Sequence, residues 1–253
     1  MDNEWINKDL YVKKISLSKK IPSENYLKKL PVISNLKKIG ELELTKPVTI
    51  FVGENGVGKS TLIEGIAMAM GFNAEGGTIN FNFSTKESHS NLNEYITVSR
   101  GWRKQKDGFF LRAESFYNVA SNIEDLDNGP GGTPIIVSYG GVSLHKQSHG
   151  ESFMALVENR FSGNGLYILD EPEAALSPMK LMQLICHIKK LVDNNSQFII
   201  STHSPILMTF PDAEVIEITH EDIKSVNYKE TEHFLITKRF MNTPEQMIKD
   251  LLR

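Results

Sequence analysis

Pro47-Val48-Thr49-Ile50-Phe51-Val52-Gly53-Glu54-Asn55-Gly56-Val57-Gly58-Lys59-Ser60 decides how the rest of the chain is read. The first six residues form a short β-branched and aromatic run, which reads as a buried strand. The next eight fit the pattern Gly-x-x-x-x-Gly-Lys-Ser/Thr at every fixed position. From Ser60 to Met70, Leu62, Ile63, Ile66, Ala67 and Met70 fall on one helical face, and Gly71 ends the helix. A strand, a glycine-rich turn and a helix in that order make a phosphate cradle. The glycines let backbone N–H groups turn toward phosphate oxygens with no Cβ in the way. The positive end of the helix dipole adds to the attraction. Lys59 is expected to reach the β- and γ-phosphates of ATP, and Ser60 to give its hydroxyl to Mg²⁺. Gly53, Glu54, Asn55, Gly56, Val57, Gly58, Lys59, Ser60 and Thr61 are therefore the nucleotide-binding candidates.

Working outward, Leu166-Tyr167-Ile168-Leu169-Asp170-Glu171 supplies an acidic counterpart. A buried strand ending in a carboxylate places Asp170 at the sheet's carboxyl edge, where ligands of open α/β sheets collect. Asp170 is the candidate for the Mg²⁺ shell. Glu171, one residue on, is placed to polarise a water for in-line attack on a γ-phosphate. Ser177-Pro178 then reads as an N-cap followed by proline at the first helical position. Leu181, Leu184, Ile185, Ile188, Leu191 and Val192 make an apolar stripe at helical spacing, and Gln197 to Ile200 is another buried strand. This alternation predicts an α/β fold with a mixed, largely parallel sheet flanked by helices. Residues 72–147 are less regular. They are expected to hold short strands and a small helical subdomain, with a strand over 79–83 and a loop over 127–132.

The run Leu169-Asp170-Glu171-Pro172-Glu173-Ala174-Ala175-Leu176-Ser177 resembles the Walker B and D-loop segment of ATP-binding-cassette (ABC) ATPases. That resemblance implies a signature of the form Leu-Ser-Gly-Gly-Gln about twenty residues earlier. Ser148-His149-Gly150-Glu151 begins 22 residues before Asp170. Ser148 and Gly150 match the serine and second glycine, His149 replaces the first glycine, and Glu151 takes the place of the glutamine. Acid-bearing signatures of this kind look like those of SMC-type and DNA-repair ATPases rather than transporters. Ile200-Ser201-Thr202-His203-Ser204-Pro205 looks like the switch-histidine segment, which makes His203 a catalytic candidate beside Glu171 and Lys59. His145, His149 and His187 are assigned no chemistry. No glutamine is well placed for a Q-loop, because Gln147 abuts the signature and Gln105 is the only other one in the interval. Phe109-Phe110-Leu111-Arg112-Ala113-Glu114-Ser115 is the alternative, with Glu114 near the metal. Tyr11 and Tyr26 are the candidates for an aromatic that stacks on adenine.

Over nearly its whole length the chain resembles a family of small stand-alone bacterial ABC-type ATPases. The resemblance implies one ATPase domain over 1–253, with the variable part and signature within about 72–150. It also implies a head-to-tail homodimer around two ATPs, in which Ser148, Gly150 and Glu151 of one copy face the nucleotide of the other. Only 89 residues separate Lys59 from Ser148, which leaves no room for a long coiled coil.

The 253 residues carry 40% apolar and 23% charged side chains and a net charge of −3, so no global field draws the chain to nucleic acid or anionic lipid. One cysteine, Cys186, excludes an internal disulfide and fits a cytoplasmic protein. No signal-like start or apolar run of membrane length is read, so direct membrane insertion is not expected. The first 46 residues hold ten lysines against six acids, including four Lys-Lys doublets. Three roles remain open: a switch acting on an effector protein or DNA, with phage defence as one setting, a nucleic-acid-binding ATPase, and a transporter's nucleotide-binding subunit.

Overall fold

A computed structural model describes residues 10–79, 90–114, 116–127 and 135–253. The chain opens with β1 (Val12–Leu17), α1 (Pro31–Ile39), β2 (Glu41–Glu43), β3 (Val48–Val52) and α2 (Lys59–Ala69). It continues through β4 (Ile96–Arg100), β5 (Asp107–Arg112), α3 (Phe116–Asp127), α4 (His149–Arg160), β6 (Gly165–Asp170) and α5 (Pro178–Asp193). It closes with β7 (Gln197–Ser201), α6 (Pro205–Met208), β8 (Glu214–Ile218), β9 (Ile223–Val226), α7 (Glu232–Asn242) and α8 (Pro244–Leu251). The expected strand over 79–83 and loop over 127–132 fall almost entirely outside the described residues. The interval 72–150 contributes β4 and β5 to two different sheets and sets α3 after them.

The main sheet has the order β5-β6-β7-β3-β8-β9, parallel throughout except for the antiparallel β9. Every residue of β3, β6 and β7 is buried, as expected of strands covered on both faces. Alternation sends successive side chains to opposite cores. Val48, Ile50, Val52, Tyr167 and Leu169 pack with Leu156, Leu184 and Ile188 of α4 and α5. Phe51, Leu166, Ile168 and Ile199 pack instead with Leu62, Ile63 and Ile66 of α2. The face of α2 read from the sequence is therefore the buried face, and Gly71 at φ +95° ends the helix as expected.

The second core is closed by a small antiparallel sheet, β2-β1-β4, that the sequence reading did not anticipate. Gln197 links the two sheets. Its buried amide accepts from the Val12 N–H at 2.9 Å and donates to the Val12 carbonyl at 2.9 Å. Of the lysine doublets, only Lys13-Lys14 lies in a strand. Lys14 pairs with Glu41 at 3.2 Å, while Lys28-Lys29 and Lys37-Lys38 end separate helical turns. The doublets are thus distributed over several elements. Among the described residues no helix is long and apolar enough to cross a membrane.

Candidate functional site

Parallel strands deliver their carboxyl ends to one edge, and β3, β6 and β7 are neighbours there. The loop after β3 is held in a shape that requires glycine at two points. Gly53 has φ +144°, and a Cβ would lie 2.1 Å from the Ile218 carbonyl oxygen. Gly58, the residue before α2, has φ +98°, and a Cβ would lie 2.6 Å from Val32 Cγ1. The first turn of α1 braces the loop, with the Val32 N–H donating to the Val57 carbonyl at 3.0 Å. Lys59 is buried, and its Nζ donates at 2.8 Å to the carbonyls of both Gly53 and Glu54. Burial lowers its pKa, against the opposing pull of Glu171, Asp170 and Glu173.

At the end of β6, Asp170 is only 3% exposed. It receives hydrogen bonds from the hydroxyls of Ser201 and Ser60, which brings the β7 end and the start of α2 onto one carboxylate. Arg112, paired with Asp170 across β5 and β6, sets Nε 3.3 Å from Oδ2 as an ion pair without hydrogen-bond alignment. Arg112 Nη1 also donates to the buried Glu64 of α2 at 2.6 Å. Burial raises the Asp170 pKa, partly countered by Ser201, Arg112 and Ser60. Arg112, Glu64 and Ser201 carry this arrangement, and no role was read for them in the sequence.

Glu171 has φ +50°. Among the described residues, the other non-glycine residues with positive φ are asparagine or aspartate, which tolerate that region. A glutamate there is strained, and such strain gathers at functional sites. Desolvation raises the Glu171 pKa, reinforced by the charges of Asp170 and Glu173. Its Oε1 stands 3.6 Å from His203 Nε2. Glu173 fastens the two loops together, accepting from the Thr202 hydroxyl at 2.7 Å and from the His203 backbone N–H. His203 Nδ1 lies 2.8 Å from Nε2 of His233 on α7, a residue the sequence reading passed over. Desolvation, with Lys59 and His233 nearby, pushes the His203 pKa down to about 4. The imidazole is neutral at physiological pH.

Ser148, Gly150 and Glu151 lie apart from this cluster. They form the exposed first turn of α4, where the Glu151 carboxylate accepts from the Ser148 N–H at 3.0 Å and from its hydroxyl at 2.5 Å. Those hydrogen bonds, helped by Lys180, hold the Glu151 pKa below the usual range. A Cβ on Gly150 would come 3.0 Å from the Ala175 carbonyl, so the glycine also lets the segment after β6 approach. The surface here opens on a separate groove lined by Gln147, Glu151, Lys180 and Gln183.

The remaining expectations divide. Glu114 is exposed, and its charge acts on both Asp170 and Glu171. Gln105 precedes β5 and therefore sits at the opposite edge of the sheet. Tyr11 is overturned as an adenine contact. It is buried, its hydroxyl donates to the Asn195 carbonyl at 2.9 Å, and it lines a cavity at the amino ends of β3 and β7. Tyr26 is 53% exposed on the turn leading to α1.

The donor set fits a nucleotide with Mg²⁺. Mg²⁺ favours one or two protein oxygens completed by phosphates and waters over a protein cage. Ser60 and Asp170 meet that need, and Lys59 holds two carbonyls that a phosphate oxygen would replace.

A family model described as an AAA domain matches residues 32–138, and one described as an AAA ATPase domain matches residues 141–208. A search of curated proteins finds no match. Distant structural likenesses include CbiO1 from Clostridium perfringens, part of the ABC transporter complex cbiONQ (16% identity, covering 96% of this chain and 99% of that one, TM-score 0.47). They also include the SMC head domain from Thermotoga maritima (16%, 86% and 99%, TM-score 0.42) and a dimeric bacterial ABC transporter cassette (15%, 76% and 90%, TM-score 0.43). The P-loop on its strand–turn–helix frame and the acid-ended strand two places away in the sheet agree with the two adjoining matches to AAA-type domain models.

Proposed function

We propose that the chain binds ATP and Mg²⁺ at the β3–α2 loop, hydrolyses the γ-phosphate, and uses closure of two copies around ATP as a switch. The observation carrying this reading is the convergence of Lys59, Ser60, Asp170, Glu171 and His203 on one sheet edge, with Ser148 and Glu151 left exposed to solvent. Lys59 and the loop N–H groups bind the phosphates, and Ser60 and Asp170 hold the metal, with Glu114 at its margin. The metal, when bound, neutralises charge on the phosphates. Glu171 accepts a proton from the attacking water as its oxygen bonds to the γ-phosphorus and the bond to the β–γ bridging oxygen breaks, leaving ADP and phosphate. His203 donates to the γ-phosphate. Ser148 and the Gly150 N–H of a second copy complete the site in trans as oxyanion-type donors. The closed dimer signals to an effector protein or to DNA in the cytoplasm, with phage defence as one setting.

The test is solution mass by light scattering of a Glu171→Gln variant, with and without ATP–Mg²⁺. A dimer that appears with ATP and vanishes when Ser148→Arg is added supports the switch. A monomer under all conditions overturns it.

A further inference from the structure

His203 and His233 meet at 2.8 Å through Nδ1 and Nε2, so one ring donates and the other accepts. His203 Nε2 is buried, has no hydrogen-bond partner and faces Glu171 Oε1 at 3.6 Å. Were the proton on Nδ1, a bare and buried Nε2 lone pair would face the carboxylate, two acceptors in an unfavourable pairing. With the proton on Nε2, a donor faces an acceptor, and Nδ1 must accept. The group at 2.8 Å must then carry a hydrogen. A backbone carbonyl or a carboxylate, the common partners of a functional histidine, would enforce the opposite tautomer. An imidazole can serve as the donor.

We infer that His233 is a positioning residue for His203: its Nε2–H donates to His203 Nδ1 and keeps the His203 proton on Nε2, turned toward Glu171 and the nucleotide.

The backbone around both rings holds them in place. Ser204 caps α6 immediately after His203, and Met208 ends that helix. The fully buried Thr231 hydroxyl packs on Met208 Sδ at 3.6 Å and donates to the Tyr228 carbonyl at 2.7 Å. It anchors the first turn of α7, which carries His233, against the helix that follows His203. The charged groups around His203 are Glu171, Glu173 and Lys59, and its low pKa leaves the ring neutral, as a tautomer-defined donor requires.

The inference rests on the reading of His203 as the γ-phosphate donor, and the experiment separates the two. The full chain is labelled with ¹⁵N-histidine in wild type, His233→Gln and His233→Glu, with His203→Gln used to assign signals. Gln and Glu are equal in size, and only Gln carries a donor, so the pair isolates hydrogen bonding from packing. In nucleotide-free wild type and His233→Gln, long-range ¹H–¹⁵N spectra are expected to find the His203 proton on Nε2. In His233→Glu a proton moves onto Nδ1. His233→Gln is expected to keep kcat within about threefold, and His233→Glu to lower it by about tenfold or more at unchanged KM for ATP. A wild-type His203 protonated on Nδ1, or equal kcat and tautomer in both variants, overturns the inference. A wild type that does not hydrolyse ATP sinks the reading of the site instead, and the tautomer, measured without nucleotide, still decides the pairing.

Discussion

The sheet edge and the first turn of α4 are built on opposite plans. At the edge, Lys59, Asp170, Glu64 and Ser201 are all buried, and each is held by groups from other elements. At α4, Ser148 and Glu151 are exposed and bind mainly each other. One half of the proposed site is preorganised by the fold of a single chain, and the other is an exposed turn held by local bonds. Preorganised donors in a dry site are worth far more than flexible ones in water. On the proposed closure, the first half is expected to hold nucleotide alone, and the second to act only when another copy removes its water.

The largest effect that could break this contrast is on nucleotide affinity. Lys59→Ala removes the cation proposed to face the phosphates, and ATP affinity is expected to fall by about 10²- to 10³-fold. Ser148→Arg is expected to leave the affinity of the single chain within about twofold. Titration of a fluorescent ATP analogue at monomer concentrations measures both. Equal losses would mean that Ser148 reaches the nucleotide of its own chain. Next in size, Arg112→Leu leaves the buried Glu64 and Asp170 without their cation, and unfolding stability is expected to drop by about 3 kcal/mol in urea titration. A loss below about 1 kcal/mol would show that the edge is not braced by this pair.

The same contrast explains what the sequence could tell. The strands at the edge are buried on both faces, so Val48–Val52 and Leu166–Leu169 read as nearly continuous apolar and β-branched runs, and the loop glycines answer a local steric demand. Such signals sit in neighbouring residues and are legible. Arg112 and Glu64 are 48 residues apart, and His203 and His233 are 30 apart. Their pairing depends on how β5 packs beside α2 and how α7 docks on α6, which no window of sequence contains. Tyr11 misled for the same reason: an aromatic before a strand looks alike at either edge of a sheet, and only the parallel register shows which edge it occupies.

A pH titration sharpens the account of the edge at smaller cost. His203 has a folded-state pKa of about 4 against an ordinary value of 6.5, so the unfolded chain binds more protons between those limits. Its contribution to stability is complete above about pH 6.5 and is lost as pH falls toward 4. Burial raises the pKa values of Asp170 and Glu171, and these carboxylates act in the opposite sense, so the clean quantity is the difference between wild type and His203→Gln. That difference is expected to shift by up to about 2 kcal/mol across the window, the ring being partly exposed. A difference that stays flat with pH would mean His203 is solvated like any surface histidine.

The smallest effect tests the exposed half. Glu151 stands where the resemblance places a glutamine, and it puts a negative charge beside the Ser148 hydroxyl that is proposed to meet a γ-phosphate. Glu151→Gln keeps an acceptor for the Ser148 N–H and removes the charge. Losing an acid from the first turn of α4 weakens the helix slightly. The approaching phosphate gains more, because a like charge within a few ångströms repels it even in a watery interface. In the Glu171→Gln background, half-maximal dimerisation is expected at about fivefold less ATP. The advantage should shrink at high salt, since an exposed charge is screened. A variant that needs more ATP would mean that Glu151 orients Ser148 more than it repels phosphate. The outer half of the site would then be preorganised too, and the contrast with the sheet edge would fail.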